Sequence, residues 1–198
     1  LLYSGAWNAA PIPLAPRHRT VAGIIDQRYK VEIVRAALFE IRKGMIHPTA
    51  IVAEGARLGL GVSLGPYAIV EEGAEIGDHC RIGAHAVIGS SVKMGNDNWI
   101  GAGAVLGGDP QDLRFDSVQT SYLQIGSGNR IREHCTIHRS AVPGGRTEVG
   151  DENYLMVGSH LGHDVRMGDK TILANGVLVG GHATIEDGVF LGGGTLVH

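Results

Sequence analysis

Residues 64–89 read LGPYAIVEEGAEIGDHCRIGAHAVIG, and every sixth position in this stretch is aliphatic: Leu64, Val70, Ile76, Ile82 and Ile88. Upstream the register begins at Ile46 and runs through Val52 and Leu58; downstream it continues through Met94, Ile100 and Leu106. Glycine often follows the aliphatic directly, as at Gly65, Gly77, Gly83 and Gly89. Four residues after each aliphatic a small side chain recurs, including Ala68, Ala74, Cys80 and Ala86. The register breaks over 107–124 and resumes one residue out of phase at Ile125, Ile131 and Ile137. After an insertion near 139–148 it continues in phase from Val149 to Leu191.

A period of six fits neither a helix nor a half-buried strand, but it fits a β-solenoid with three flat faces per coil. Each hexad supplies one short strand and one corner. Three hexads make an 18-residue coil, and coils stack at the inter-strand spacing of ~4.8 Å. The large aliphatic and the small residue both turn into a narrow prism, so Cys80 and Cys135 read as packing residues. Composition agrees: among 198 residues there are 31 glycines and only ten Phe, Trp or Tyr, as a slender bore demands. With 43% hydrophobic and 19% charged residues the chain is no disordered polyampholyte. Glycine does not recur every third position, which excludes collagen. No apolar run approaches the ~20 residues of a membrane span. A formal charge of −3 does not indicate nucleic-acid binding. The two cysteines form neither a disulfide framework nor a metal cluster, so a reducing cytoplasm is the expected location.

Residues 1–44 differ from the rest, with seven basic against three acidic residues and only three glycines. They hold one helical pattern, Ile33, Val34, Ala37, Leu38 and Ile41. The expectation is an N-terminal extension over 1–44, partly helical and upstream of a true start at Met45, followed by a solenoid domain over 45–198. His198 falls one residue into a repeat, so a C-terminally truncated fragment is expected.

The register resembles that of the hexapeptide-repeat acyltransferases, which implies an all-β, left-handed parallel β-helix. Left-handed crossovers are exceptional by general rules, so handedness comes from the resemblance alone. Four longer strings, MIHPTAIV (45–52), QDLR (111–114), NRIREHCTIHR (129–139) and HLGHD (160–164), are similar to the UDP-N-acetylglucosamine O-acyltransferases of that family. The resemblance implies transfer of an (R)-3-hydroxyacyl chain from acyl carrier protein to the 3-hydroxyl of UDP-N-acetylglucosamine, the first step of lipid A biosynthesis. It also implies a homotrimer with sites between subunits and no metal or organic cofactor.

Numbering locates the chemistry independently. The hexads at Leu161, Val179 and Val197 are 18 apart and should share one face, bringing together His163, Asp164, His182 and His198, with His160 at the corner leading onto that face. Histidine suits proton abstraction near neutral pH. The resemblance makes His163 the general base, Asp164 the carboxylate orienting it, and Gly181 the backbone oxyanion donor. It makes His160, His182, His198 and Asp112 substrate-binding residues. Arg130, Arg132 and Arg139 read equally as acyl-carrier or pyrophosphate contacts and as edge charges; His47 reads as structural. A γ-class carbonic anhydrase with zinc-binding histidines and a non-catalytic scaffold are the alternatives. The related N-acyltransferases carry an N-terminal uridine-binding domain for which 1–44 is too short. Acyl-chain length and the acceptor atom, oxygen or amino nitrogen, stay open at this level.

Overall fold

The computed structural model describes residues 45–198, so the extension over 1–44 and its helical pattern lie outside the described residues. The 22 short strands, most of two residues, form three parallel sheets of eight, seven and seven strands. Every third strand returns to the same sheet, giving a left-handed parallel β-helix with three strands per coil. The first sheet begins at Ile51–Val52 and ends at Leu196–Val197; the second begins at Arg57–Leu58, the third at Ser63–Leu64.

The hexad register is the packing register. Leu64, Val70, Ile76, Ile82 and Ile88 are all at most 4% exposed, and so are Ala68, Ala74, Cys80 and Ala86 between them. A buried side chain of the larger class contributes roughly 1.5–3 kcal/mol, and here that contribution repeats at every strand between the partly buried end coils. Both cysteine thiols are buried, donate to backbone carbonyls (Gly95 O and Met156 O, each 3.1 Å), and are pushed up by desolvation. They are packing groups.

Two insertions perturb the coils. Ile100 pairs with Ile131 and Leu106 with Ile137, 31 residues on instead of 18, because residues of the segment 109–121 leave the coil as a loop. Ile125 then pairs with Val149 and Ile137 with Leu161, 24 residues on, because one extra hexad is inserted after His138. From Val149 the spacing of 18 is restored, with Val149 beside Met167, Leu161 beside Val179 and Val179 beside Val197.

Corners need hydrogen-bond partners that the strands do not supply. After the second sheet, the side chains of Asp78, Asn96, Ser127, Asp151, Asp169 and Asp187 each accept the N–H of the coil before, at 2.6–3.0 Å. Inside the prism Asn98, Asn129 and Asn153 form a second ladder, each Oδ1 accepting the backbone N–H of the next coil at 2.8–2.9 Å. His47 has the local role expected of it, with Nδ1 2.9 Å from Thr49 Oγ1.

Candidate active site

The corner joining the first sheet to the second is where the histidines meet. Counting from each buried aliphatic of the first sheet, His163 and Gly181 are equivalent in consecutive coils, and so are Asp164 and His182. His138, Gly162, Gly180 and His198 form another such column once the extra hexad is allowed for.

His163 Nδ1 and Asp164 Oδ2 lie 2.9 Å apart. An ionised carboxylate only accepts, so Nδ1 carries the proton and Nε2 is left as the free base. Asp164 is held on every side: Ser140 Oγ donates to Oδ1, the Ala141 N–H donates to Oδ2 at 3.0 Å, and Asp164's own N–H donates to Thr147 Oγ1 at 2.8 Å. Burial alone would push this carboxyl up. The hydrogen bonds from Ser140, His163 and Ala141 outweigh it and hold the group below the usual range, so it is ionised at neutral pH. His182 stands edge-on to His163 with ring centroids 5.0 Å apart and Nε2 3.9 Å from Asp164 Oδ2.

The imidazole of His163 lies over Gly181. A Cβ built on Gly181 would come 2.7 Å from Cε1 and Nε2, so the absence of a side chain there is what lets the ring sit. Among the described residues the Gly181 N–H has no hydrogen-bond partner, whereas the neighbouring Gly180 and His182 N–H groups donate to Val197 O and His163 O. His198 lies over Gly180 in the same way, its Nδ1 3.2 Å from where a Cβ would be.

His163, Gly181 and His198 open onto a groove of about 420 Å³ whose walls also include Gln111, His138 and His160, whereas Asp164 and His182 line a neighbouring cavity of about 950 Å³ with Val142, Arg166 and Lys93. His160 belongs to a strand, His160–Leu161, and points outward from the first sheet; it is not at the corner where the numbering alone would put it. Its Nδ1 is 2.7 Å from Thr136 Oγ1. His138, which the sequence reading did not single out, packs edge-on against His160 at 4.7 Å. Burial, with the nearby charges of His160 and His163, pushes His138 down to about 4, and burial also lowers His160. Both shifts favour the neutral imidazole.

Asp112 is not among the groove's walls. It sits on the loop 109–121 paired with Arg114 at 3.0 Å, whose hydrogen bonds hold its carboxyl below the ordinary value, while its neighbour Gln111 reaches the groove. Arg139 is neither an edge charge nor a free anion contact. Only 11% of its side chain is exposed; it bonds Asp109 Oδ1, Ser117 O and Gln119 O at 2.8–3.0 Å and stacks on Phe115, clamping the loop. Arg132 pairs with Glu133 and donates to Tyr154 Oη at 2.9 Å. Arg130 stands on the third sheet, away from the groove.

The depressed His138 carries a prediction. The unfolded chain titrates this residue near 6.5 and the folded chain near 4, so between those values the unfolded state binds more protons. The associated stability is complete above about pH 6.5 and is lost as pH falls toward 4. In His138→Gln the loss of stability between pH 7 and pH 5, measured by urea denaturation, is smaller than in the unaltered chain.

Comparison with known proteins bears on the fold and the family. The bacterial transferase hexapeptide (six repeats) model matches residues 55–90. The UDP-N-acetylglucosamine O-acyltransferase of Moraxella catarrhalis is 45% identical, with a TM-score of 0.75 over 77% of this chain and 60% of that one. The UDP-N-acetylglucosamine acyltransferase of Campylobacter jejuni is 35% identical, with a TM-score of 0.73 over 78% and 60%. That of Bacteroides fragilis is 32% identical, with a TM-score of 0.60 over 75% and 67%. The chain thus spans about 60% of the length of the Moraxella and Campylobacter proteins.

Proposed function

The chain belongs to the UDP-N-acetylglucosamine O-acyltransferase family, and from that premise we propose that it moves an (R)-3-hydroxyacyl chain from acyl carrier protein to the 3-hydroxyl of UDP-N-acetylglucosamine, opening lipid A synthesis. The observation that carries the reading is the His163–Asp164 pair set beside the unpartnered Gly181 N–H. A sugar hydroxyl is a weak nucleophile until its proton leaves. His163 Nε2 takes that proton as the oxygen attacks the thioester carbon, and Asp164 stabilises the imidazolium that forms. The thioester carbonyl oxygen becomes an oxyanion, and the Gly181 N–H, fixed in the corner, is placed to receive it. On collapse the C–S bond breaks, the thiolate leaves with the proton returned from His163, and the ester stays on the sugar. His160, His182, His198 and Asp112 are assigned to substrate binding, with neutral His138 added as a groove wall. The test is product identification: the chain with UDP-N-acetylglucosamine and a hydroxyacyl carrier protein yields a 3-O-acyl sugar nucleotide. Failure to form it in a correctly folded preparation overturns the reading.

One observation favours a second reading. His163, Asp164 and His182 offer ligand atoms within 4.8 Å of one another, a grouping of the size to hold a zinc ion, although with a carboxylate where a carbonic anhydrase uses a third histidine. Zinc at one per chain in purified protein, with loss of activity on chelation, would replace the acyltransfer reading by that one.

The homotrimer belongs to the same proposal. The outward column of the first sheet is apolar for much of its length: Ile51, Ile69, Val87 and Val105, then Leu178 and Leu196 beyond Thr136 and His160. Ile51, Leu178 and Leu196 are 59%, 44% and 67% exposed. The corresponding column of the second sheet is charged, with Arg57, Glu75 and Lys93 ion-paired. A neighbouring subunit covers the apolar face, and the groove at its edge then opens between subunits. Light scattering gives a mass of about three chains, and Ile69→Asp shifts it toward one chain. Monomers in the unaltered protein contradict this. No helix among the described residues is long and apolar enough to cross a membrane; a cytoplasmic location is the corresponding proposal.

A further inference from the structure

Ser140 and Ala141, which orient Asp164, come from the extra hexad, and their carbonyls also fasten the loop 109–121 by accepting Ser121 Oγ–H and the Gln119 side-chain amide at 2.6 and 2.7 Å. Ser140 is fully buried. Its Oγ donates to Asp164 Oδ1 and accepts the Val142 N–H at 2.9 Å, while its carbonyl accepts Ser121 Oγ–H at 2.6 Å. Ser121 ends the loop, and Arg139, one residue before Ser140, holds the loop through Asp109, Ser117 O and Gln119 O. At the equivalent position of the earlier regular coils stand Gly55, Gly73 and Ser91, and Ser91 Oγ makes no hydrogen bond.

We propose that Ser140 is the positioning residue of the His163–Asp164 pair, and that Arg139–Ser140 ties the loop bearing Gln111 and Asp112 to the same carboxylate. This rests on the acyltransferase reading. The hydroxyl of Ser140 fixes the free oxygen of Asp164, leaving Oδ2 aimed at His163 Nδ1, and takes up part of the carboxylate's charge. Without it that charge bears more fully on the imidazole. The titratable groups facing His163 are Asp164, His182, His138 and Asp112, the last neutralised by Arg114, with His160 and His198 on the same groove. The substitution removes the bond to Asp164 and the bond from the Val142 N–H, and none of the other titratable groups facing His163 loses a partner.

The experiment compares Ser140→Ala and Ser140→Cys with the unaltered chain. In Ser140→Ala the turnover falls about tenfold with the KM for UDP-N-acetylglucosamine within twofold, and the His163 imidazole, followed by NMR, titrates at higher pH. Ser140→Cys, which keeps a weak donor, lies between the two in both readouts. An unchanged or lowered His163 titration in Ser140→Ala overturns the proposal, as does Ser140→Cys behaving no better than Ala. The titration needs no turnover. If acyl transfer is absent from every form but the midpoint still moves, the positioning claim stands and the acyltransferase reading is what fails.

Discussion

His163→Ala lowers turnover in acyl transfer by roughly 1,000-fold, the range expected when a positioned general base is removed. The loss falls on turnover and not on assembly. His163 is not in the prism core; its ring lies on the outside of the corner, against Gly181 and His182, and the buried ladder of Leu161, Val179 and their neighbours is untouched. The variant therefore keeps the mass and the β-rich circular dichroism of the unaltered chain. The KM for the sugar nucleotide changes little, because the proton is taken only in the transition state. Initial rates with saturating donor and acceptor, read beside light scattering, check both halves. Turnover within threefold of the unaltered enzyme would remove His163 from the mechanism.

Gly181→Ala has the second largest effect, a loss of turnover on the order of 100-fold. One methyl group does this because its carbon would lie 2.7 Å from two atoms of the His163 ring. The ring cannot yield freely: its Nδ1–H is committed to Asp164, and Asp164 is committed to Ser140 and Ala141. Displacing the ring breaks the pair and moves Nε2 from the place the proposed mechanism requires of it. Gly181 does not adopt a positive φ, so backbone strain is not the cause. The N–H survives in Ala, which separates the crowding of the base from loss of the oxyanion donor. The variant's kcat and its His163 titration change together; a normal titration with lost activity would instead place the defect in the oxyanion site.

The six-residue register made the fold legible because it is the packing itself: the residues that must be large and inward are those that recur. The face carrying His163, His182 and His198 was legible for the same reason, since a spacing of 18 survives from Leu161 onward. Where insertions intervene, legibility fails. The slip of one residue after Leu106 reported the loop, and the interruption near 139–148 reported the later insertion, but a whole extra hexad leaves no slip to reveal which coil positions come to share a column. His138 thus stands in the column of Gly162, Gly180 and His198 although 24 residues, not 18, separate it from Gly162. The same offset hid Ser140, whose contact with Asp164 spans 24 residues. The ladder of Asp151, Asp169 and Asp187 was written openly at intervals of 18, yet isolated acidic residues at corners carry no mark that distinguishes a cap from a surface charge. Arg139 was visible, but only the folded loop 109–121 gives it Asp109, Ser117 and Gln119 as partners.

Acyl transfer after exhaustive chelation tests the central claim most directly. Chelated and metal-analysed protein is mixed with UDP-N-acetylglucosamine and an (R)-3-hydroxyacyl carrier protein, and the product's mass and lability to mild alkali are measured. The predicted result is undiminished formation of an alkali-labile 3-O-acyl ester at the initial rate of untreated protein. Transfer that stops on chelation and returns with zinc, or no ester in either sample, would contradict a mechanism built on His163, Asp164 and the Gly181 N–H alone.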